Sequence, residues 1–338
     1  MDRFGSIMTA ALAAGALALA GCASSSSTSS EPSSVAATRT TEPTAEQQSR
    51  LDEARVAMES GNYDSAMSMF QGILGENPTI PDAYVGIGDI HMVNEDYASA
   101  EPAFRRAARL EPRSYDAQYK HGLSLQMLER FAEAIRAYQR ALRITPSDAD
   151  AHANIATSFL QLRDPKQALR YAERAVELAP EDGPARANLG AIYEELGMYS
   201  EAIDTYIAAL ELMGNRAPLM LNLINSLAEE KRYREAVNTA ETLVRIDPSA
   251  NAYERLGWCH FKLREFDESM VAYREAVTLD PGHWPSLNGV GVNALNTWLL
   301  SKRRDNTARD EARGAFRRSL QANPDQKKVI DLMLNYGL

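Results

Sequence analysis

The chain has 338 residues, of which 45% are apolar and 24% are charged, a composition typical of a globular protein with a sizeable core. Its formal net charge of -10 argues against a surface that neutralises phosphates, so nucleic acid is not expected as a partner. Its two cysteines, Cys22 and Cys259, are too few for a disulfide framework, and Cys259 is expected to remain a free thiol.

The N-terminus begins with a short apolar run. Residues 7–20 are apolar except for Thr9 and Gly15. As a helix this run would extend about 21 Å, whereas the hydrocarbon core of a bilayer is about 30 Å thick. The run is therefore predicted to belong to a signal peptide, residues 1–21, rather than to a membrane-spanning helix.

The end of this run, Leu19-Ala20-Gly21-Cys22, resembles the lipobox of bacterial lipoproteins. The resemblance implies that Cys22 carries lipid, with a diacylglyceryl thioether on its sulfur and a further acyl chain, such as palmitate, on its amino group after cleavage. Ala23 follows the cysteine, and by resemblance to proteobacterial sorting this indicates the outer membrane, facing the periplasm. The alternative is an incidental cysteine in an ordinary secretory signal.

Residues 22–46 follow as a Ser/Thr-rich segment with almost no large apolar side chain. Such a segment buries too little surface to offset its ordering entropy, so it is predicted to be a disordered tether.

The rest of the chain, from position 47 to position 338, repeats with a regular period of about 34 residues. Alanine recurs at this spacing, as does the proline that closes most units: Ala66, Ala100, Ala134, Ala168, Ala202 and Ala236; Pro78, Pro112, Pro146, Pro180 and Pro248. The apolar spacing within each unit predicts two amphipathic helices joined by a tight turn. The residue before each proline is pushed out of the helical region, which ends the second helix.

These motifs resemble the tetratricopeptide repeat (TPR). The run Asn188-Leu189-Gly190-Ala191-Ile192-Tyr193, followed by Gly197, Tyr199 and Ala202, is close to the consensus of that family. The resemblance implies an all-α fold, a right-handed superhelical solenoid of about eight helix pairs over residues 47–324. The eighth pair has an insertion near residues 301–309, and residues 325–338 are predicted to form a capping helix.

The sequence offers no recognisable catalytic or metal site. The five histidines are dispersed among the repeats, and the Gly-x-Gly pairs at Gly86 and Gly289 lie inside predicted first helices. No cofactor, metal or catalytic residue is predicted. Residues 301–309 form a basic run that suits anionic lipid or an acidic partner, although such runs are more often only solvated.

A solenoid of helix pairs presents a long concave surface lined by the first helix of each pair. Asn154, Asn188 and Asn222 recur there at the same position of three successive repeats. By resemblance to TPR proteins that bind extended peptides, they are predicted to form an asparagine ladder that grips a peptide backbone. The alternative is that asparagine is simply common at this position of the repeat.

The inferred inner surface is expected to become apolar on either side of this ladder. Tyr119 lies on the N-terminal side, with Val85 and Met92, while Trp258 and Phe261 lie on the C-terminal side. Core packing does not require an indole at position 258, so Trp258 is predicted to anchor a partner. The alternative is that the insertion or the C-terminal helix covers it.

The sequence therefore predicts a non-catalytic scaffold, anchored to a membrane by lipid, that binds a protein or peptide of the periplasm or cell envelope. The TPR lipoproteins it resembles take part in pilus assembly, secretion, outer-membrane protein insertion or polysaccharide export. Two alternatives remain open: an envelope enzyme acting on glycan or peptidoglycan through an unrecognised site, and a structural oligomer that packs against its own copies.

Overall fold

The computed structural model describes residues 42–338, which form seventeen α-helices and no β-strand. The helices are α1 Ala45–Glu59, α2 Tyr63–Glu76, α3 Pro81–Val93, α4 Tyr97–Leu110, α5 Tyr115–Met127, α6 Phe131–Ile144, α7 Ala149–Gln161, α8 Pro165–Leu178, α9 Gly183–Glu195, α10 Tyr199–Met213, α11 Ala217–Glu229, α12 Tyr233–Ile246, α13 Ala250–Lys262, α14 Phe266–Leu279, α15 Trp284–Leu300, α16 Asn306–Ala322 and α17 Lys327–Tyr336.

Helices α1–α16 pair in sequence, and each pair packs against the next, so the described residues stack as eight helix pairs. The final helix, α17, packs on α16 and buries Val329 against the last pair. The predicted all-α solenoid with a C-terminal capping helix is confirmed. Because each pair contacts mainly its neighbours, burial is distributed along the chain in a series of small cores rather than one large core.

Within most pairs, the two helices cross at a residue of the first helix and a residue sixteen positions later in the second. In several pairs the second residue is a buried aromatic and the first is glycine, as in Gly88–Phe104 and Gly190–Tyr206. A Cβ atom on Gly88 would lie 2.5 Å from Cε1 of Phe104. Where the second residue is small, as in Ile224–Ala240, the first carries the larger side chain, and both are buried. A large side chain on one helix is thus matched by a small one on the other, which keeps the crossing close-packed.

The turn between paired helices places one residue in the left-handed region of backbone space. Gly197 has φ +72°, in agreement with the predicted tight turn, and Gly61 has φ +76°. Other repeats place Glu129 or Arg163 at the same position, with φ 58° and 59°. A left-handed conformation disfavours side chains, so these turns keep their shape because the packed helices on either side define it.

The predicted insertion has a different form from a long loop. Helices α15 and α16 have 17 residues each, compared with 13 to 15 in the preceding pairs, and the turn between them comprises residues 301–305. The extra residues therefore lengthen the helices themselves. Arg309, expected in the loop, is part of α16.

Candidate functional site: the inner face

The first helices of the pairs line one side of the solenoid. Contacts between successive first helices join α1 to α3, α7 to α9, α9 to α11, α11 to α13 and α13 to α15. Successive second helices make no comparably extensive contacts within residues 42–338. Since the first helices approach one another more closely, their layer is the concave side. We call the exposed surface of this layer the inner face.

The three asparagines of the predicted ladder lie in the same register on α7, α9 and α11, but their amides differ. The Nδ2 of Asn154 donates a hydrogen bond to the Tyr119 hydroxyl at 3.0 Å. The Asn222 side chain lies near the Tyr206 hydroxyl and opposes the rise in its pKa that burial causes, whereas Asn188 is exposed. A peptide backbone would thus meet one exposed amide, one engaged by the Tyr119 hydroxyl and one beside the Tyr206 hydroxyl.

Tyr119 belongs to an aromatic cluster within the third repeat. Its ring stacks on Tyr115 with 5.6 Å between centroids, and it meets Tyr138 at 5.5 Å. Burial raises the pKa of Tyr119 to about 12, so the hydroxyl is neutral at physiological pH and accepts the hydrogen bond from Asn154. The cluster fixes the position of the Tyr119 ring on the inner face.

Trp258 and Phe261 lie on α13, and both are half-buried. Tyr233 meets the indole edge-on at 6.1 Å, and the Lys262 ammonium lies 5.0 Å from the indole centroid. Phe261 packs against Phe266 at 5.6 Å. Among residues 42–338, the aromatic and cation–π contacts of Trp258 come from α12 and α13, and its side chain also packs against a core that α14, α15 and α16 share.

The N-terminal part of the inner face is charged, although the apolar residues of this region predict an apolar surface. A groove of about 360 Å³ lies between α1, α3 and α5, and Val85 shares its lining with several carboxylates. These carboxylates are Glu59, Asp82, Asp89, Glu111 and Asp116. The expectation was wrong because it rested on the apolar residues alone. The missed signal is periodic: Asp82, Asp116 and Asp150 also occupy one position in three successive repeats.

Two cationic side chains neutralise part of the negative charge of this groove. Lys120 Nζ lies 2.8 Å from an oxygen of Asp89 and 3.2 Å from one of Asp116. Arg55 pairs with Asp82 at 2.7 Å across the α1–α3 interface. Burial raises the pKa of Asp89, and the Lys120 ammonium opposes that shift. The groove therefore contains fixed charges of both signs, with carboxylates in excess.

The described residues contain no group of three or more His, Cys, Asp or Glu side chains placed to hold a metal ion. Cys259 is a buried free thiol, and burial raises its pKa to about 12. A thiol with such a pKa is protonated at physiological pH and is a poor nucleophile.

One histidine occupies a core position that is leucine or isoleucine in other repeats. His121 is buried, and its Nε2 lies 3.1 Å from Oε1 of the buried Glu101 on α4. Arg140 of α6 approaches Nδ1 at 3.5 Å, and Arg105 and Arg130 each lie 3.8 Å from Glu101. Burial is the main cause that lowers the pKa of His121, and Glu101 opposes it. The folded protein thus favours the neutral imidazole.

The lowered pKa of His121 predicts that the free energy of unfolding decreases at acidic pH. The unfolded chain binds a proton at His121 near the ordinary value of about 6.5, whereas the folded chain resists protonation. The contribution of His121 to the free energy of unfolding is therefore present above about pH 6.5 and is lost as the pH falls below it. Urea unfolding of wild type and His121→Gln between pH 8 and 5 measures this difference. Parallel pH profiles of the two proteins would contradict it.

The remaining predicted site residue, Cys22, lies outside the described residues, as do the predicted signal peptide and most of the tether. Within residues 42–338, no helix combines the length and apolar character needed to cross a bilayer.

Comparison with solved structures identifies proteins with a similar fold. PilW, described as a widely conserved type IV pilus biogenesis factor, aligns with a TM-score of 0.53 and 19% identity over 61% of this chain and 95% of its own. PilF of Pseudomonas aeruginosa aligns with a TM-score of 0.51 and 19% identity over 60% of this chain and 92% of its own. A tetratricopeptide repeat protein of Parabacteroides merdae aligns with a TM-score of 0.51 and 14% identity over 80% of this chain and 98% of its own. At these identities the likeness shows the fold alone.

Curated protein sequences give no significant match to the chain. A tetratricopeptide-repeat family model matches residues 51–107, 85–149 and 154–216, and a second model of the same repeat matches residues 250–283. Together these matches cover more than half of the chain, and they fall on the stacked helix pairs. The chain therefore belongs to the tetratricopeptide-repeat family.

Proposed function

We propose that this protein is a non-catalytic scaffold that holds an extended segment of a protein partner against its inner face. The observation that carries the proposal is the half-buried Trp258, whose indole lies on the concave layer of first helices, where it packs on the core and keeps part of its surface accessible. Large aromatic side chains in such positions are favoured as interface anchors. Phe261 and the exposed amide of Asn188 supply further apolar contact and hydrogen bonding on the same face.

We further propose that lipid on Cys22 anchors the scaffold to the outer membrane, facing the periplasm. The lipobox-like run Leu19–Cys22, the short apolar segment before it and the Ser/Thr-rich segment after it support this arrangement. The partner is then a protein or peptide of the cell envelope, and assembly of an envelope complex is the role that suits an anchored scaffold. Such a protein acts by fixing the position of its partner.

Photo-crosslinking from position 258 tests the scaffold proposal directly. A photoreactive residue in place of Trp258, introduced into the full-length protein in its native membrane, is expected to trap one envelope protein. Replacing Trp258 by alanine is then expected to weaken capture of that protein about tenfold or more, as for a central aromatic anchor.

The matched control is Trp284→Ala, which removes a more exposed indole at the start of α15. It is expected to leave capture unchanged. Equal loss in both variants, or unchanged affinity in Trp258→Ala with intact helicity, would contradict the proposed anchor. Crosslinks only between copies of the chain would favour the self-associating oligomer instead.

A further inference from the structure

We propose that the inner face between α13 and α15 binds a carboxamide side chain of the partner, Asn or Gln, through the hydroxyl of Tyr273 and the carboxylate of Glu254. This inference rests on the proposed scaffold function and specifies the chemistry that the partner presents beside Trp258. Among residues 42–338, α13 and α15 are the successive first helices in most extensive contact. Trp258 packs on the small core that Tyr273 shares with α15 and α16.

The hydroxyl of Tyr273 differs from its counterparts in other repeats. Within residues 42–338, three helix pairs place a tyrosine at the eighth residue of the second helix, where it fills the crossing: Tyr138, Tyr206 and Tyr273. The hydroxyls of the first two donate hydrogen bonds of 2.8 Å to the twelfth residue of the first helix, Gln126 and Glu194 respectively. In the α13–α14 pair the twelfth residue is Phe261, whose side chain offers no acceptor.

The next repeat does not supply a partner for this hydroxyl either. Three first helices use their sixth residue to approach a polar group of the preceding repeat: Lys120 with Asp89, Asn154 with Tyr119, and Asn222 with Tyr206. The sixth residue of α15 is Gly289, and a Cβ atom there would lie 2.4 Å from both Cε1 and Cζ of Tyr273. The ring therefore excludes a side chain at position 289, and α15 offers no polar group in this register.

Tyr273 is thus a buried residue whose hydroxyl is free. The residue is only 4% exposed, and within residues 42–338 its hydroxyl makes no hydrogen bond, although the oxygen is not fully enclosed. The ring extends from Gly257 of α13, beside Cγ, to Gly289 of α15, beside Cζ, so the hydroxyl lies between the two first helices. Polar groups of buried residues are nearly always paired, so this hydroxyl indicates a place where a ligand completes the pairing.

Glu254 supplies an acceptor at the same place. It lies one turn before Trp258 and on the same face of α13 as Gly257, which supports the Tyr273 ring. Its side chain is 14% exposed, and within residues 42–338 its ion pair is with the adjacent Arg255, which lies 3.3 Å from Oε2. Burial and then the charge of Glu254 raise the pKa of Tyr273, as expected for a carboxylate near the hydroxyl. Oε1 of Glu254 is left to accept a hydrogen bond from a ligand.

The charges around this place favour a neutral ligand group over an ammonium or guanidinium. Arg255 is paired with Glu254, and the Lys262 ammonium lies 5.0 Å from the centroid of the Trp258 indole. These two cations offset the single carboxylate and would repel a lysine or arginine of the partner.

A carboxamide matches the two groups that remain. Its N–H donates to the Glu254 carboxylate, and its carbonyl oxygen accepts from the Tyr273 hydroxyl. The apolar stem of the side chain contacts the accessible part of the Trp258 indole. The same chemical group already occupies the equivalent place one repeat earlier along this face, where the amide of Asn222 lies beside the Tyr206 hydroxyl.

Binding of short peptides to the full-length protein in non-ionic detergent tests the inference. The probe is the fluorescent peptide Ser-Leu-Ser-Gln-Ser-Leu-Ser, compared with three peptides that carry Met, Lys or Glu in place of Gln. We expect the Gln peptide to bind about tenfold more tightly than the Met peptide, because it pairs two groups that otherwise lack a partner.

Tyr273→Phe removes the hydroxyl and keeps the ring in the helix crossing, and it is expected to abolish the preference for Gln over Met. Glu254→Leu is expected to do the same. The matched control is Tyr206→Phe, which removes the equivalent hydroxyl that donates to Glu194. It is expected to retain the preference, and circular dichroism of the three variants establishes that helicity is retained.

Equal binding of the Gln and Met peptides to the wild type, or no binding of the Gln peptide up to about 1 mM, would overturn the inference. Tighter binding of the Lys or Glu peptide, or equal loss of preference in Tyr273→Phe and Tyr206→Phe, would overturn it as well. If the Gln preference is missing while position 258 still traps a partner, this inference fails and the scaffold proposal stands. Failure of both would reject the scaffold proposal too.

Discussion

Replacing Phe104 by alanine is expected to lower the free energy of unfolding by about 3–5 kcal/mol. Phe104 is only 1% exposed, and its ring fills the crossing between α3 and α4 where Gly88 leaves room. Removing the ring takes apolar surface out of the core and leaves a cavity that the flanking helices fill only in part. Urea denaturation of the soluble form lacking residues 1–22 measures the loss.

Gly88 permits a sharper version of this experiment. Alanine at position 88 gains about 1 kcal/mol of helix propensity, but its Cβ would meet the Phe104 ring and cost about 1–3 kcal/mol of overpacking. Gly88→Ala is therefore expected to destabilise the wild type and to stabilise Phe104→Ala. The two substitutions should show a coupling energy of about 2 kcal/mol. The small pair Ala156–Ala172 shows that the fold accommodates this combination.

Gly314→Ala is the control for helix propensity alone. Gly314 lies in α16, and a Cβ there would meet nothing within 4 Å. This substitution is expected to raise stability by about 1 kcal/mol. If Gly88→Ala were equally stabilising in the wild type, the ring at position 104 would not constrain the crossing, and the volume argument would be wrong.

The second large effect is expected at Cys22. Replacing Cys22 by alanine should abolish incorporation of labelled palmitate and release the protein from the membrane fraction. Two or three acyl chains give stable attachment, since each buried methylene contributes about 0.8 kcal/mol, whereas the substituted chain offers no lipid attachment point at this position. Metabolic labelling and fractionation of the full-length protein in a bacterial host provide the measurement.

Cys259→Ala is the matched control, because Cys22 and Cys259 are the two cysteines of the chain. Cys259 is buried in α13, so its replacement should leave labelling and membrane attachment intact. Labelled palmitate on Cys22→Ala, or membrane attachment that survives the substitution, would show that the anchor lies elsewhere.

Repeat number and helix pairing could be predicted from the sequence because they follow from local patterns that recur. Most units repeat the same alanine, glycine and proline positions, and helix periodicity acts over a few residues. The positions of Asn154, Asn188 and Asn222 on one face could be predicted for the same reason. The difference among their amides could not, because it depends on Tyr119 and Tyr206, which belong to other helices.

Local sequence patterns do not predict two features of the structure: the acidic surface of the N-terminal part of the inner face, and the lengthened helices of the eighth pair. Asp82, Asp116 and Asp150 form a periodic set in the sequence, but their importance depends on which neighbouring cations reach them. Residues 301–309 contain many charged and polar residues, as a loop would, yet part of this segment continues α16. The helix extends because Ala308 and Ala312 are buried in the core that α16 shares with α15, a contact that composition does not reveal.

The stack of helix pairs can be deduced from the sequence alone, because helix spacing, turn position and the closing proline are local properties that recur along most of the chain. The groups that remain available on the inner face depend instead on tertiary packing. Hydrogen bonding, ion pairing and exposure depend on side chains from neighbouring repeats, as Lys120 shows by joining Asp89 of α3 to Asp116 of α5. Periodicity fixes where a residue lies on its helix, whereas packing fixes what is left for a partner to bind.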